Sequence, residues 1–227
     1  MRYPNIVSGI FRSRPNRFIA IVEIEGRPQI CHVKNTGRCR ELLVYGCLVY
    51  LERVDNPNRK TAYDLIAVKK GEHLVNMDAQ APNRVFEEWA KEGNFLSDLA
   101  EIYPEYVYDK SRLDFRLETG HGRHLVEVKG VTLEKDGVVY FPDAPTERGV
   151  RHIRELQRAV GEGLGATLFF VVQIEGIRKM FPNDEVQPEF GAALREAAAD
   201  GVQIEAWDCL VTPDTLKIRE RVPVILG

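Results

Sequence analysis

The run ATLFFVV at 166–172 constrains the fold most, because seven consecutive residues offer almost nothing polar to water. It is too short to span a bilayer and reads as a strand buried on both faces, which requires a sheet covered on both sides. The flanking sequence supplies the cover. A helix opens after the loop Pro142-Asp143-Ala144-Pro145, with Thr146 as its N-cap and Val150, Ile153, Leu156 and Val160 as its apolar stripe. A second helix runs from Pro188 to Ala199, and VQIEAW at 202–207 gives a further strand. With VVYF at 138–141 as another strand, this is an α/β (α+β) layout around a mixed sheet flanked by helices.

Upstream of that core, SRLDF at 111–115 and HLVEVKG at 124–130 bracket a polar turn at Glu118–Gly122 and read as a hairpin. In a strand, side chains at i and i+2 share a face, so Glu127 and Lys129 project together. The hairpin brings Asp114 to them. Two carboxylates and a lysine at one sheet edge are a candidate site for Mg2+ or Mn2+, with Asp114, Glu127 and the Val128 carbonyl supplying oxygen. Lys129 is then placed to orient or help deprotonate a water attacking a phosphodiester. The same residue types also occur as surface ion pairs, and it is the strand placement that raises the metal reading. A helix from Asn83 to Glu92 puts Val85 and Trp89 on one face with Glu88 beside it, so Glu88 is the candidate helix carboxylate. On the helix after Thr146, Arg148, His152 and Glu155 line up; Arg148 and His152 are candidates for phosphate contact, although a lone helix histidine is more often structural.

Residues 1–80 carry 13 Lys+Arg against 8 Asp+Glu, whereas 81–227 carry 18 against 26. The net charge of −3 therefore hides a basic first part and an acidic second part. Strand-like segments at 17–25, 28–33, 47–53, 62–69 and 73–77, with a short helix after Asn35-Thr36-Gly37 through Leu43, suggest a small barrel of the oligonucleotide-binding type. Basic residues fall in what read as its connections: Arg12, Arg14 and Arg17 before the first strand, Lys34 and Asn35 with Arg38 and Arg40 around the turn, and Arg59 and Lys60 in the long loop. Such loops grip nucleic acid by charge and stacking. The expected division is 1–80, a DNA-binding barrel, and 81–227, a catalytic domain.

The start of the chain lacks the continuous apolar stretch of a signal peptide, and Cys31, Cys39, Cys47 and Cys209 lack the spacing of a structural zinc site. A cytoplasmic protein with free thiols and no membrane association is expected. No GK[ST], HExxH or GxSxG motif is present.

The assembled blocks, NTG at 35–37, RK at 59–60, SRLDF at 111–115, VEVKGVTL at 126–133 and FPDAPTERG at 141–149 followed by RHIREL, resemble the sugar fermentation stimulation protein A (SfsA) family over nearly the whole chain. The resemblance implies an N-terminal oligonucleotide-binding barrel, a C-terminal domain like PD-(D/E)xK nucleases, DNA as partner and a link to sugar-utilisation genes. It also implies that Asp114, Glu127 and Lys129 are the nuclease-motif residues, with Glu88 as the helix glutamate. The family's His-Cys-Pro-Asn-Thr-Gly block here reads His32-Val33-Lys34-Asn35-Thr36-Gly37, which keeps the turn and adds a charge. Two functions follow: metal-dependent hydrolysis of DNA, or DNA binding by a regulator that keeps the site without turnover. One site per chain makes a homodimer a reasonable unit for cutting both strands, although no interface is legible in the sequence.

Overall fold

The structure, a computed structural model, describes residues 1–35, 37–109 and 111–227. Thr36, the middle of the expected turn, lies outside the described residues. In chain order the elements are β1 (Ile6–Asn16), β2 (Ile19–Ile24), β3 (Arg27–Val33), β4 (Leu48–Arg53), β5 (Tyr63–Lys70), β6 (His73–Asn76), α1 (Ala81–Lys91), β7 (Leu99–Tyr108), β8 (Ser111–Thr119) and β9 (Gly122–Val131). There follow β10 (Glu134–Lys135), β11 (Val138–Phe141), α2 (Glu147–Gly161), β12 (Gly165–Val172), β13 (Lys179–Pro182), α3 (Pro188–Ala199), β14 (Gln203–Thr212) and β15 (Thr215–Arg221).

The chain forms two compact units. The first comprises Met1–Ala81 with Gln173–Glu175 and Cys209–Lys217; the second is the remainder. The expected division at 80/81 omits those two later segments, and backbone and polar contacts explain why they belong to the first unit. Val75 pairs with Ile174, and the Gln173 side chain donates to Asn76 at 2.8 Å. Likewise the Tyr3 amide donates to the Asp214 carbonyl at 2.7 Å, and the N-terminal ammonium to Leu216 at 2.8 Å.

In the first unit the strands run β3-β2-β1-β4-β5-β6, and β3 also pairs with β5, which closes a five-stranded barrel with β6 as an outer addition. Sequence reading counts β6 among the five strands and misses β1. Only Gly9 and Phe11 of β1 are buried, so it lacks the expected alternation. Gly9 is required there: a Cβ would stand 2.5 Å from Val22 Cγ1 and 2.9 Å from the Glu23 carbonyl oxygen on the crossing strand. Arg12 and Arg14 consequently lie within a strand. The helix expected through Leu43 is also absent; residues 37–46 form turns held by Cys39, whose carbonyl accepts from Leu42 and Leu43.

In the second unit a six-stranded sheet has the order β15-β14-β12-β9-β8-β7, and a separate three-stranded sheet runs β10-β11-β13. The VVYF segment therefore belongs to the small sheet. The apolar run is β12, buried from Ala166 to Val172 and parallel to both β9 and β14. Alternate residues of β12 serve opposite faces. Phe169 meets Phe86 and Trp89 of α1 at ring-centroid distances of 4.8 and 5.5 Å, and Phe170 meets Phe141 at 5.4 Å. Each such aromatic pair adds about 0.5–1.5 kcal/mol beyond area burial. Thr146 caps α2 by accepting from the Gly149 amide at 2.9 Å, as its sequence position predicts.

No helix among the described residues is long and apolar enough to cross a membrane. None of the four cysteines, all among the described residues, forms a disulfide; Cys31, Cys39 and Cys209 are buried and Cys47 is half-buried.

Candidate active site and candidate nucleic-acid interface

The expected hairpin is formed by β8 and β9, paired from Thr119–Gly122 to Phe115–Val126. The next positions in this register are Asp114 and Glu127, and there side chains take over from the ladder. Asp114 Oδ2 accepts from the Val128 amide at 2.8 Å, and Glu127 Oε2 accepts from the Asp114 amide at 3.3 Å. Beyond this point β8 continues along β7 to Ser111 while β9 continues along β12 to Val131. The strands fork, and the two carboxylates sit in the fork.

Two helices and a further β9 side chain complete the site. From the first turns of α1, Asn83 Nδ2 donates to Asp114 Oδ1 at 2.8 Å. From α2, His152 reaches Glu127 Oε1 through Nδ1. From β9 itself, Lys129 Nζ donates to the same Glu127 oxygen. Glu127 and His152 side chains are each 2% exposed, and Lys129 18%. The structure thus brings Asp114, Glu127, Lys129 and His152 together. Val128, expected to lend a carbonyl, contributes its N–H to Asp114.

Burial is the largest influence on Asp114 and pushes its carboxyl up; the charge of Glu127 acts the same way, and the Val128 amide, Lys129 and Asn83 offset only part. Burial pushes Glu127 up as well, but the His152 hydrogen bond and the charge of Lys129 outweigh it and hold that carboxyl below its ordinary range. Environments that drive two adjacent carboxyls apart are a mark of functional sites.

Two expectations about these helices are corrected. The buried positions of α1 are Ala81, Pro82, Val85, Phe86, Trp89 and Ala90, a stripe of i, i+4 pairs. Glu88 lies outside that stripe and is exposed; the α1 side chain that meets Asp114 is Asn83. Small apolar residues at 81, 82 and 90 rotate the true face, and an apolar count restricted to Val85 and Trp89 overlooks them. His152, expected among the phosphate contacts, is instead buried and bound to Glu127. Arg148 remains exposed, with its Nε 3.3 Å from His152 Nε2.

The donor set suits a hard divalent cation. The Asp114 and Glu127 carboxylates each bond the other's strand backbone at the fork, and Mg2+ binds through one or two protein carboxylates plus water and phosphate. No group of three or more His, Cys, Asp or Glu side chains among the described residues is arranged to hold a metal.

The first unit divides the expected DNA contacts into two groups. Lys34 is half-buried and lies 3.1 Å from Asp64 and 3.6 Å from both Glu52 and Asp78, while Arg59 donates to both Asp64 oxygens, one at 3.1 Å. These two cations hold a carboxylate that is 1% exposed, and they are structural. Asn35 is a turn former, accepting from the Gly37 amide at 2.8 Å and donating to the Met77 carbonyl at 3.1 Å. Arg14 gives its guanidinium to four carbonyls, of Arg17, Asn35, Gly37 and Arg38, at 2.6–2.8 Å.

No carboxylate accepts from Arg14 in these bonds, and the groove it borders, about 440 Å³ in volume, is also lined by Arg17, Arg38, Arg40, Asn16 and Leu43. Its lining includes no acidic side chain among the described residues. Arg17, Arg38 and Arg40 are exposed, and the Arg17 guanidinium lies 5.0 Å from the centroid of Phe18, itself 46% exposed. Sequence reading missed Phe18 because it takes it for the start of a strand. Lys60 is exposed and stands outside this groove.

Residues 80–215 match the family model described as the sugar fermentation stimulation protein RE domain, and residues 13–77 match the SfsA N-terminal OB domain. The sugar fermentation stimulation protein homolog of Clostridium beijerinckii is 52% identical over 100% of both chains, and that of Desulfitobacterium hafniense 53% over 100% of this chain and 99% of its own. The solved structure of Pyrococcus furiosus SfsA in complex with Ca2+ is similar with a TM-score of 0.89 at 27% identity, covering 99% of this chain and 98% of that one. With two domain matches in sequence order and relatives aligned end to end, this chain belongs to the sugar fermentation stimulation protein (SfsA) family.

Proposed function

We propose that the protein hydrolyses DNA phosphodiester bonds with a divalent cation, Mg2+ or Mn2+, at the fork between β8 and β9. The observation that carries this reading is the replacement of the strand ladder by Asp114 and Glu127, which sets a half-buried and a buried carboxylate near Lys129. Asp114 and Glu127 would hold the cation, and the Ca2+ complex of the Pyrococcus furiosus relative supports a cation in this family. A bound divalent ion supplies Lewis acidity and lowers the pKa of a water ligand. Lys129 places an ammonium where a phosphate oxygen or attacking water would lie. His152 fixes Glu127, and Asn83 with the Val128 amide fixes Asp114, so neither carboxylate must reorient when substrate arrives. The arginine groove of the barrel would hold DNA by phosphate contact, and cutting both strands of a duplex would take two copies of the chain.

One observation favours a second reading, a DNA-binding regulator without turnover: both carboxylates already have protein partners on each oxygen pair. Incubating purified protein with single-stranded, duplex, flapped and nicked DNA in Mn2+ separates the two. Cleavage by wild type that vanishes in Lys129→Ala and Asp114→Ala is expected. Intact DNA in every wild-type reaction, together with salt-dependent binding, would leave the regulator.

A further inference from the structure

The small sheet presents two unlike faces. Register places Lys135 opposite Val138, Val138 beside Lys179, and Tyr140 beside Phe181, and alternation puts these five side chains on one face. Val139, Phe141, Met180 and Pro182 occupy the other. That second face is the inward one: Val139 and Met180 are fully buried, and the Phe141 ring lies 5.4 Å from Phe170 and 5.2 Å from Phe190.

On the outward face the rings of Tyr140 and Phe181 stand 6.1 Å apart at an interplanar angle of 21°. Both are half-buried, and each carries an ammonium: Lys135 Nζ is 5.8 Å from the Tyr140 centroid and Lys179 Nζ is 5.2 Å from that of Phe181. None of the five side chains is acidic. Exposed Arg178 adds a third cation at the rim, donating to the Asp136 carbonyl at 2.5 Å. Phe141 packs on Phe170, whose register partner on the neighbouring strand is Lys129.

Two near-parallel rings flanked by lysines match a ligand with flat π-faces and regularly spaced negative charge. A nucleic-acid strand has both, and its base faces are available only when the bases leave a duplex stack. We propose that this face binds an unpaired nucleic-acid strand, with Tyr140 and Phe181 stacking on bases and Lys135 and Lys179 meeting phosphates. The inference rests on the nucleic-acid reading for its polymer and not on cleavage.

The test uses the full chain in chelator, with a fluorescent single-stranded oligonucleotide and the blunt duplex of the same sequence. Tyr140→Leu/Phe181→Leu keeps apolar volume and removes π-faces; it is expected to lose roughly tenfold in single-strand affinity and to keep its duplex affinity. Lys135→Ala/Lys179→Ala, at exposed positions, is expected to reduce the logarithmic salt slope for the single strand by roughly 1.4. Unchanged melting temperatures establish that both variants fold. Wild-type single-strand affinity in the leucine variant overturns the proposal, as does an equal loss on both DNA forms. If wild type binds DNA and both variants match it, only this inference fails; if wild type binds neither form, the nucleic-acid reading falls with it.

Discussion

His152 donates from Nδ1 to Glu127 and accepts at Nε2 from Arg148 Nε, 3.3 Å away. An arginine Nε–H can only donate, so the imidazole proton is on Nδ1. The buried ring therefore passes the orientation of an exposed cation to the carboxylate in the fork. Partners of this kind around metal-ligating groups cost about 10- to 100-fold in metal affinity or activity when removed. His152→Ala is expected to raise the Mn2+ concentration needed for half-maximal cleavage by about that factor, with His152→Asn, which keeps an N–H donor, recovering part of it. A metal titration identical to wild type in His152→Ala would show that Glu127 does not depend on this hydrogen bond.

The Glu127 charge, together with burial, pushes the Asp114 carboxyl up, so a cation between the two would relieve their repulsion. A cation bound only by the folded state stabilises it, by about 2.7 kcal/mol at a hundredfold excess over Kd, or on the order of 5–10 °C for a chain of this size. Saturating Mg2+ or Mn2+ is expected to raise the melting temperature, excess chelator to reverse the rise, and Asp114→Ala to abolish it. Calorimetry with and without metal decides this without DNA.

Asp64 gives a pH-dependent prediction in the barrel. Burial pushes its carboxyl up, yet Arg59 and Lys34 outweigh burial and hold it below the ordinary aspartate range. A carboxyl depressed in the folded state contributes stability that is complete above its unfolded pKa and is lost as pH falls through the folded value. Acid unfolding of wild type should therefore steepen below about pH 4. Asp64→Asn is expected to cost about 1.5–3 kcal/mol at neutral pH, because Lys34 and Arg59 lose a charged hydrogen-bond partner, and to flatten that acid limb. Urea titrations across pH read both effects.

How far the sequence reaches is visible in particular residues. The fork was legible because a hairpin with i, i+2 side chains fixes Asp114, Glu127 and Lys129 without tertiary knowledge. Strand β12 was legible because a seven-residue run with Thr167 as its one polar member leaves a single environment. What escaped depends on contacts between distant segments. Strand β1 owes its place to Gly9 passing under Val22, and Gln173 owes its place to Asn76. Lys34 and Arg59 look like loop charges until Asp64 is found buried between them. Glu88 and Asn83 lie on one helix, and their exchange of roles turns on counting Ala81, Pro82 and Ala90 as part of the apolar face.

That sorting of basic residues leads to a prediction with two arms. Arg38 and Arg40 are exposed beside a groove whose described lining has no carboxylate, so their charge is available to phosphate. Removing one cation that neutralises a phosphate lowers the logarithmic salt dependence of duplex binding by about 0.9. Arg38→Ala/Arg40→Ala is expected to reduce that slope by up to about 1.8 and to leave the melting temperature near that of wild type. Arg59 carries the same formal charge but is committed to Asp64. Arg59→Ala is expected to lower the melting temperature, since Asp64 is left short of a partner, while the salt slope stays within experimental error of wild type. Anisotropy titrations at several salt concentrations, paired with thermal melts, read both arms. An unchanged slope in the Arg38/Arg40 variant would remove the groove as the grip on DNA, and a reduced slope in Arg59→Ala would return that loop to the interface.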